Sequence, residues 1–203
     1  MIGIIDYNIN NIGSVLNAVK YLNIKHEVVH EPESLSSYQM LILPGVGSFD
    51  SGVRALRSTG MFDGLKNLDL KSTKLFGICL GMQLLSSSSE EGTEQGLGLI
   101  EAKVKHLKNI NCSGKIPHVG FNTVQSSDDH QFLNPMVGND FYFVHSQSYA
   151  VDACCDSVQV AICHYEGASI VAAFRAENIF GTQFHPEKSG VKGLNLLRQA
   201  YEC

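Results

Sequence analysis

The sequence predicts an α/β domain with a mixed central sheet, and three observations support this prediction. In the first half of the chain, short apolar stretches alternate with amphipathic helical patterns, which is typical of parallel strands covered by helices on both faces. In the second half, strand-like segments follow one another through turns, as in hairpins that add antiparallel strands to a sheet. Apolar residues make up 44% of the 203 residues and charged residues 17%, so the chain can bury a substantial core. We expect a single domain that covers residues 1–203.

The first half is predicted to contain four strands with helices between them. The strands are short apolar runs at residues 2–5, 27–30, 39–43 and 75–78. After the first strand, apolar residues recur at spacings of three and four between Ile12 and Leu22, which is the period of an amphipathic helix. A second helical stretch extends over residues 50–68 with a break near Gly60, and a third helix begins at residues 82–85.

The second half is predicted to be rich in strands. Six segments have the apolar, β-branched and aromatic content of strands, at residues 99–105, 119–124, 141–144, 157–164, 169–175 and 178–184. The dipeptide Glu166-Gly167 is a turn signal between the fourth and fifth of these strands. Residues 195–201 are expected to close the chain as a helix.

Composition and charge exclude several broad classes of protein. Fifteen basic and twenty acidic side chains leave a formal net charge of −5, opposite in sign to the field that binds nucleic acid. No apolar run reaches the ~18–20 residues that cross a bilayer, and the first strand lacks the basic flank of a signal peptide. Six cysteines, two of them adjacent, are too few for a disulfide scaffold and fit a reducing compartment. We expect a cytoplasmic enzyme that binds neither nucleic acid nor membrane.

The strongest chemical signal lies in residues 75–85, which read LFGICLGMQLL. A strand, the pattern Gly77-x-Cys79-x-Gly81 and a helix follow one another, as in a nucleophile elbow with cysteine in place of serine. The two glycines remove side chains that would collide in so tight a turn. Unpaired N–H groups and the dipole at the start of the helix favour the thiolate form of Cys79. A random cysteine is more often a buried structural residue, but the glycines and the strand-to-helix position favour a nucleophile.

A thiolate nucleophile requires a base, and the base requires a group that orients it. Residues 181–187 read GTQFHPE. Because Pro186 follows His185, the backbone of His185 is expected to be extended, and side chains two apart on an extended segment share a face at about 6.5–7 Å. Glu187 could then bind one imidazole nitrogen while the other nitrogen faces Cys79. Although neighbouring His and Glu residues are common on surfaces, the elbow makes a Cys-His-Glu triad the favoured interpretation.

Acyl chemistry also requires N–H donors for a developing oxyanion. The loop Pro44-Gly45-Val46-Gly47 follows the third strand, at the carboxyl end of a parallel sheet where ligands bind. We expect the N–H groups of Val46 and Gly47, with that of Leu80, to supply these donors. A simple turn is the plainer alternative, whereas a phosphate-binding loop is disfavoured because the GxxxxGK[ST] pattern is absent.

Five segments of the chain resemble the class I glutamine amidotransferases. They read PGVGSF at residues 44–49, GICLGMQLL at 77–85, KIPHVGFN at 115–122, YFVHS at 142–146 and FGTQFHPEKSG at 180–190. The resemblance covers essentially the whole chain, in order. Within this family, the KIPHVGFN and FHPEKSG segments are most similar to the glutaminase subunits of imidazole glycerol phosphate synthases. The resemblance implies a flavodoxin-like three-layer fold with a mixed central sheet, and neither a cofactor nor a metal.

The resemblance also implies an activity. Cys79 would attack the side-chain amide of L-glutamine to form a γ-glutamyl thioester and release ammonia, His185 would transfer the proton, and Glu187 would hold His185. Val46, Gly47 and Leu80 match the oxyanion region of the family. Residues that match its glutamine-binding positions are Gln83, Glu91, His145 and Ser146, with Glu91 facing the substrate ammonium, although the adjacent Glu90 could be confused with it.

A partner is implied as well. In the family, ammonia passes to a cyclase subunit with a (β/α)8 barrel, forming a heterodimer that makes imidazole glycerol phosphate and an aminoimidazole ribonucleotide during histidine biosynthesis. Its acceptor there is a phosphoribulosyl aminoimidazole carboxamide ribonucleotide. Partner-facing positions of the family match Asn11, Lys115, Pro117, His118 and Lys188. A helix cap for Asn11 and solvated charges for the lysines are the plainer alternatives.

The chain departs from the family pattern at three places. Phe121 stands where the family commonly has Trp, Gln147 replaces a Tyr, and Asn8 and Asn10 occupy positions that usually carry glycine. These departures leave open a paralogous glutaminase that supplies ammonia to another acceptor enzyme, for example an amidination step in surface-sugar synthesis.

Other classes fit the residues less well. A cysteine peptidase or a DJ-1-like protein shares the elbow but explains neither the His-Pro-Glu segment nor KIPHVGFN. A non-enzymatic flavodoxin-like binding module would have no use for Cys79. A zinc site is the least favoured alternative because adjacent cysteines do not fit the usual ligand spacing; it would be formed by Cys154, Cys155, Cys163 and His164.

Overall fold

The computed structural model describes residues 1–8, 12–126, 132–144, 149–153 and 158–203. Strands and helices alternate in the first half, as the hydrophobic pattern predicts. They are β1 (Ile2–Ile5), α1 (Gly13–Tyr21), β2 (His26–Val29), β3 (Met40–Leu43), α2 (Phe49–Ser58), α3 (Met61–Lys66), β4 (Lys74–Ile78) and α4 (Leu80–Leu84). The predicted helix break is confirmed at Gly60, whose φ of 75° is the left-handed conformation that ends α2.

The second half consists mainly of strands. They are β5 (Ser88–Ser89), β6 (Ala102–His106), β7 (Val119–Thr123), β8 (Asp140–Val144), β9 (Tyr149–Ala153), β10 (Gln159–Tyr165), β11 (Ala168–Ala176) and β12 (Ile179–Thr182), followed by helix α5 (Gly190–Glu202). Short 3-10 helices cover Pro32–Ser37, Leu107–Ile110, Asn134–Met136 and Pro186–Lys188. The predicted turn between β10 and β11 is confirmed, since Glu166 and Gly167 both have positive φ, as in a tight hairpin.

Seven strands form the central sheet, in the order β10-β11-β12-β4-β3-β1-β2. β1, β2, β3, β4 and β12 are mutually parallel, whereas β10 and β11 run antiparallel to their neighbours, so the predicted mixed sheet is confirmed. The remaining strands were expected in the same sheet, and this was wrong. β6 pairs with β5 and β9 in a small separate sheet, and β7 pairs with β8 in a two-stranded ribbon. The two-residue β5 is too short to leave a periodic signal, and β9 was not predicted, so the pairing partners of β6 were missing.

Helices cover the central sheet on both faces. Met40 and Ile42 of β3 pack into one core together with α1 and α5, and Leu41 and Leu43 pack into the opposite core with α2 and α3. Successive side chains of a strand point to opposite faces, which explains why the buried strands are continuously apolar rather than alternating. The arrangement therefore has three layers. None of the helices in the described residues is long and apolar enough to cross a membrane.

The sheet places three loops side by side at its carboxyl edge. β3 ends at Leu43, which pairs with Gly77 of β4, and Ile78 at the end of β4 pairs with Thr182 at the end of β12. Adjacent strands are about 4.8 Å apart. The segments that follow these three strands, distant in the sequence, therefore begin within a few ångströms of one another.

Candidate active site

Cys79 lies in the tight turn between β4 and α4, with φ 55° and ψ −111°. Such torsion angles cost about 1–3 kcal/mol and persist only where the surrounding structure holds them. A Cβ at Gly77 would meet the backbone of Met82, and a Cβ at Gly81 would collide with the carbonyl of Leu43. Only glycine fits at both positions, so the Gly-x-Cys-x-Gly pattern is a steric requirement of this turn. The turn leaves Cys79 nearly buried, with 6% of its surface exposed.

His185 and Glu187 form a short, buried contact. The Nδ1 atom of His185 lies 2.7 Å from Oε1 of Glu187, and the two side chains are only 6% and 4% exposed. His185 has the expected extended backbone, with φ −97° and ψ 97°. Glu187, however, lies in the 3-10 helix Pro186–Lys188, so the contact is made across a turn and not along a straight extended segment.

The imidazole of His185 also contacts Cys79. Burial lowers the pKa of His185, but hydrogen bonds to Cys79 and Glu187 and the negative charges of both groups raise it to about 9. With Nδ1 bound to Glu187, Nε2 is the nitrogen that faces the sulfur. The structure thus brings together the three residues of the predicted triad, although Cys79 lies more than 100 positions before His185 and Glu187 in the sequence.

The predicted oxyanion loop lies directly beside the elbow. The backbone of Gly45 approaches the start of α4 so closely that a Cβ would meet the N atom of Gly81 and the hydroxyl of Tyr7. That hydroxyl donates a 2.8 Å hydrogen bond to the carbonyl of Pro44. Beyond this anchored part, Val46 is 43% exposed and Gly47 has a φ of 102°, which L side chains rarely adopt. The loop is therefore fixed at its base and open at the Val46–Gly47 peptide.

A cavity of about 30 Å³ lies between the predicted oxyanion loop and the pair of His185 and Glu187. Its walls come from the start of α1, from the oxyanion loop and from the segment after β12; they are Ser14, Val15, Pro44, Gly45, Val46, Ile78, His185, Glu187 and Lys188. About one water-sized molecule fits a cavity of this volume. A small reactant or product therefore has room beside the imidazole.

Gln83 and Gln183 form a buried pair of amides next to Cys79. Gln83 Nε2 donates to Oε1 of Gln183 at 2.9 Å and to the carbonyl of Tyr149 at 3.1 Å. Gln183 Nε2 in turn lies 3.7 Å from the sulfur of Cys79. Sequence reasoning proposed Gln83 for substrate binding but missed Gln183, although Gln183 stands two residues before His185 at the end of β12.

The two neighbouring glutamates point in different directions. Glu91 is half-buried, and its Oε2 accepts a 2.8 Å hydrogen bond from the N–H of Phe49, the first residue of α2. Burial raises the pKa of Glu91, although the hydrogen bond from Phe49 opposes this. Glu90 instead accepts hydrogen bonds from the backbone of His106 and from the side chain of Asn109. Glu91 is thus the one tied to the loop that carries the oxyanion residues.

The remaining predicted positions divide into three groups. Lys115, Pro117 and Lys188 are exposed and available to a partner. Asn11, His145 and Ser146 lie outside the described residues, as do Asn10 and Gln147. His118 differs from the expectation, because it is 1% exposed and cannot itself form a docking surface.

His118 is a core residue. Its ring stacks between those of Tyr165, 4.0 Å away, and Phe143, 5.0 Å away. Burial lowers its pKa to about 4, so the ring is neutral at pH 7. The polarity of histidine suggested a surface position, but stacking between two aromatic rings and the adjacent Asn122 amide stabilise it inside.

An exposed apolar patch lies on the ribbon beside the site. It consists of Val119 and Phe121 on β7 and Tyr142 on β8; Phe121 is 62% exposed, and its ring centroid lies 5.3 Å from that of Tyr142. We call these three residues the β7–β8 patch. The backbone of Tyr142 accepts a hydrogen bond from the N–H of His185 and donates one to the hydroxyl of Ser189. The patch is therefore connected directly to the catalytic segment.

The zinc alternative finds no support in the part of the chain that the structure describes. Within these residues, no three His, Cys, Asp or Glu side chains converge as a metal site. Cys163 is buried, and burial raises the pKa of its thiol to about 12, which opposes the thiolate form that binds zinc. Cys154 and Cys155 lie outside the described residues.

Comparison with known proteins identifies the family. Residues 3–202 match the family described as glutamine amidotransferase class-I. The chain belongs to the class I glutamine amidotransferase family. The resemblance inferred from the motifs is thus confirmed.

Two relatives illustrate this membership of the class I glutamine amidotransferases, and one solved structure illustrates the fold. The chain is 42% identical over 202 residues to the imidazole glycerol phosphate synthase subunit HisH of Leptospira interrogans, with 98% of each chain covered. It is also 42% identical over 199 residues to the imidazole glycerol phosphate synthase subunit HisH 2 of Methanococcus maripaludis, covering 97% of this chain and 96% of the relative. A crystal structure of a glutamine amidotransferase superposes with a TM-score of 0.75 at 21% identity, covering 98% of both chains. The expected three-layer amidotransferase fold is thereby confirmed.

Proposed function

We propose that this chain hydrolyses L-glutamine to glutamate and ammonia, as the glutaminase subunit of an imidazole glycerol phosphate synthase in histidine biosynthesis. The observation that carries the proposal is a buried imidazole in contact with both an elbow cysteine and a carboxylate. Cys79, His185 and Glu187 have the geometry of a nucleophile, a base and an orienting group. The description of the family as glutamine amidotransferase class-I supports glutamine as the substrate, and the names of the relatives support the synthase.

In the acylation half-reaction, the Cys79 thiolate attacks the side-chain carbonyl carbon of glutamine. The carbonyl oxygen becomes an oxyanion, which N–H groups of the Val46–Gly47 segment and of Leu80 would stabilise. The tetrahedral intermediate collapses to a γ-glutamyl thioester when the C–N bond breaks. His185 Nε2 gives its proton to the leaving nitrogen, so that neutral ammonia departs.

In the deacylation half-reaction, water attacks the thioester carbonyl. His185, now neutral, accepts a proton from this water through Nε2, and the bond to sulfur breaks to release glutamate and restore the thiolate. Glu187 holds Nδ1 at 2.7 Å throughout and stabilises the imidazolium each time it forms. The cavity of about 30 Å³ beside His185 and Glu187 is large enough for one water or one ammonia molecule.

Glu91 and Gln83 would bind the amino-acid end of the substrate. A half-buried carboxylate is a suitable partner for the glutamine ammonium, because such a pair is only partly screened by water. Glu91 also holds the N–H of Phe49 at the start of α2, directly after the oxyanion loop. Both hydrogens of the Gln83 amide are bonded within the protein, which leaves only its oxygen for the substrate.

The β7–β8 patch would bind the partner that uses the ammonia. Exposed aromatic and branched side chains beside polar residues are typical of the centre of a protein interface. Lys188, exposed next to His185 and Glu187, and Lys115 and Pro117 at the start of the ribbon would lie at its edge. The partner would be a (β/α)8-barrel cyclase subunit. Contact with Tyr142 would be transmitted to His185 through the backbone hydrogen bond between them.

The paralogous alternative, ammonia supply to another acceptor enzyme, is not favoured by the comparisons. At the positions that depart from the family pattern, Phe121 remains aromatic and exposed. Asn8 has a φ of 68°, which asparagine tolerates better than other residues with a Cβ.

Glutamate release measured with and without a purified cyclase subunit of the histidine pathway tests the proposal. We expect the chain to form a complex with the cyclase, and its glutaminase rate to rise when the ribonucleotide substrate is also added. The reason is that the Val46–Gly47 peptide is open in the chain without its partner, so that binding can still order the oxyanion loop. Cys79→Ala is the matched control, because it should form the same complex without releasing glutamate. Failure of the chain to bind the cyclase or to respond to it would favour the paralogue.

A further inference from the structure

Gln183 places an amide group against the nucleophilic sulfur. Its side chain is completely buried, and Nε2 lies 3.7 Å from Sγ of Cys79, within hydrogen-bond range for sulfur. The Oε1 atom of the same amide accepts a 2.9 Å hydrogen bond from Nε2 of Gln83.

The direction of the Gln183 amide is determined by a backbone carbonyl. Gln83 Nε2 donates one of its hydrogens to the carbonyl oxygen of Tyr149, which can only accept. The NH₂ group of Gln83 therefore occupies this side, and its second hydrogen requires an acceptor on Gln183. The side-chain oxygen of Gln183 must therefore face Gln83, and the NH₂ group of Gln183 must face Cys79. A flipped Gln183 would place two NH₂ groups together and aim a carbonyl oxygen at the thiolate.

Both amides are attached to well-anchored backbone on either side of the sulfur. The N–H of Gln183 donates a 2.8 Å hydrogen bond to the carbonyl of Ala172 on β11. The N–H of Gln83 donates to the carbonyl of Cys79 at 3.2 Å, one helical turn along α4. The relay from Tyr149 through Gln83 and Gln183 to the sulfur is therefore pre-organised before substrate arrives.

We propose that Gln183 is a further catalytic residue, which donates a hydrogen bond to the Cys79 thiolate, and that Gln83 is a positioning residue that sets the direction of this donor. The proposal rests on the proposed role of Cys79 as nucleophile. The neutral amide of Gln183 does not ionise, so it can stabilise the anion throughout the reaction. His185, in contrast, must give up its proton during the reaction. The same bond would stabilise the thiolate when it leaves the thioester.

Some of the other groups around the sulfur favour the thiol form of Cys79, and others favour the thiolate form. The carbonyl of Val144 lies 3.6 Å from Sγ and favours the S–H form, which Gln183 would offset. Among the residues that the structure describes, the ionisable groups that face Cys79 are His185, backed by Glu187, and the buried phenol of Tyr7. All of them are retained when Gln183 alone is changed, so a change in thiol ionisation reports on the amide.

The test is the pH dependence of alkylation of Cys79 by iodoacetamide in the full chain. Trypsin cuts after Lys74 and Lys103, and the peptide between these sites contains Cys79 and no other cysteine, so mass spectrometry follows this thiol alone. In Gln183→Met, which keeps the size but removes the donor, we expect the alkylation midpoint to rise by about one pH unit. Gln83→Met should raise it by a smaller amount, because Gln183 is kept but its direction is no longer determined.

Gln199→Met on α5 is the matched control and should leave the midpoint unchanged. A wild-type midpoint in a folded Gln183→Met protein would overturn the proposal. If Gln183→Met does not fold, Gln83→Met decides: a raised midpoint supports the relay, and an unchanged one overturns it. Alkylation requires neither glutamine nor a partner, so failure here is distinguishable from failure of the proposed glutaminase function.

Discussion

Nδ1 of His185 and Oε1 of Glu187 lie 2.7 Å apart, with both side chains almost fully buried. His185 is thus held between this carboxylate and Cys79 at the edge of the sheet. Removing one member of a buried charged group leaves the others uncompensated, which costs more than losing an exposed ion pair. Changes to any member should therefore affect both activity and stability.

Replacement of the nucleophile should abolish turnover. Cys79→Ala removes the sulfur that forms the thioester, and we expect glutaminase activity to fall by several orders of magnitude, on the order of 10⁶ as for triad knockouts in one protease. Glutamate release measures this. Cys203→Ala, at the exposed end of the chain, is the control and should retain full activity. A loss of less than tenfold in Cys79→Ala would contradict the role of Cys79.

Replacement of the orienting carboxylate should reduce the rate without preventing binding. Glu187→Gln keeps the shape but removes the charge that stabilises the imidazolium and selects its tautomer. We expect kcat to fall by up to about 10⁴, which is the loss that the equivalent change causes in a serine protease. Steady-state kinetics would show the loss mainly in kcat, and an unaltered kcat would exclude Glu187 from the triad.

The raised pKa of His185 predicts a loss of stability in alkaline solution. The unfolded value is about 6.5 and the folded value about 9, so the folded state binds the proton more tightly. The stabilisation is fully present below pH 6.5 and is lost as the pH rises through about 9. Urea unfolding from pH 6 to pH 10 should show this decline in the free energy of unfolding. In Glu187→Gln the free energy of unfolding should fall less steeply over the same range. An equally steep decline in the variant would argue against the ion pair.

The lowered pKa of His118 predicts a loss of stability in acidic solution, opposite to the effect of His185. Its folded pKa of about 4 lies below the unfolded value of about 6.5, so the unfolded chain binds the proton more tightly. Stability from this residue is present above pH 6.5 and is lost as the pH falls towards 4. His118→Phe keeps the stacking with Tyr165 and Phe143 and should narrow the difference in unfolding free energy between pH 7 and pH 5. A difference as large as in the wild type would show that His118 does not titrate in this way.

The β7–β8 patch predicts where partner affinity can be removed. Phe121→Asp places a charge at the centre of the proposed interface, and we expect the Kd for the cyclase to rise tenfold or more. Basal glutamate release by the isolated chain should not change. Tyr21→Asp is the matched control, since Tyr21 is also an exposed aromatic residue, 76% exposed, but lies at the end of α1. If both substitutions raise the Kd measured by titration calorimetry by the same factor, the β7–β8 patch is excluded as the interface.

Much of the fold could be predicted because local patterns are strong in the first half. β1 was predicted with its observed limits, and the break between α2 and α3 was predicted from Gly60 alone. Helix α5 begins five residues earlier than predicted, at Gly190, because its first turn carries an exposed Val191 and lacks an apolar period. β5 and β9 were not predicted, since two residues have no period and pairing with β6 is a long-range interaction.

The sequence by itself determined the family, the elbow around Cys79 and the pairing of His185 with Glu187, because each can be recognised in short contiguous segments of the chain. The steric demand on Gly77 is likewise local, because it comes from the backbone of Met82, whereas the demand on Gly81 comes from Leu43 on the neighbouring strand β3. Only the tertiary structure decided that Gln183 reaches the sulfur and that His118 is buried, since both depend on parallel strands and aromatic rings brought together from distant segments. Hydrogen bonds and stacking between such segments leave no periodic trace, and the direction of the Gln83 amide depends on the carbonyl of Tyr149, 66 residues later in the chain.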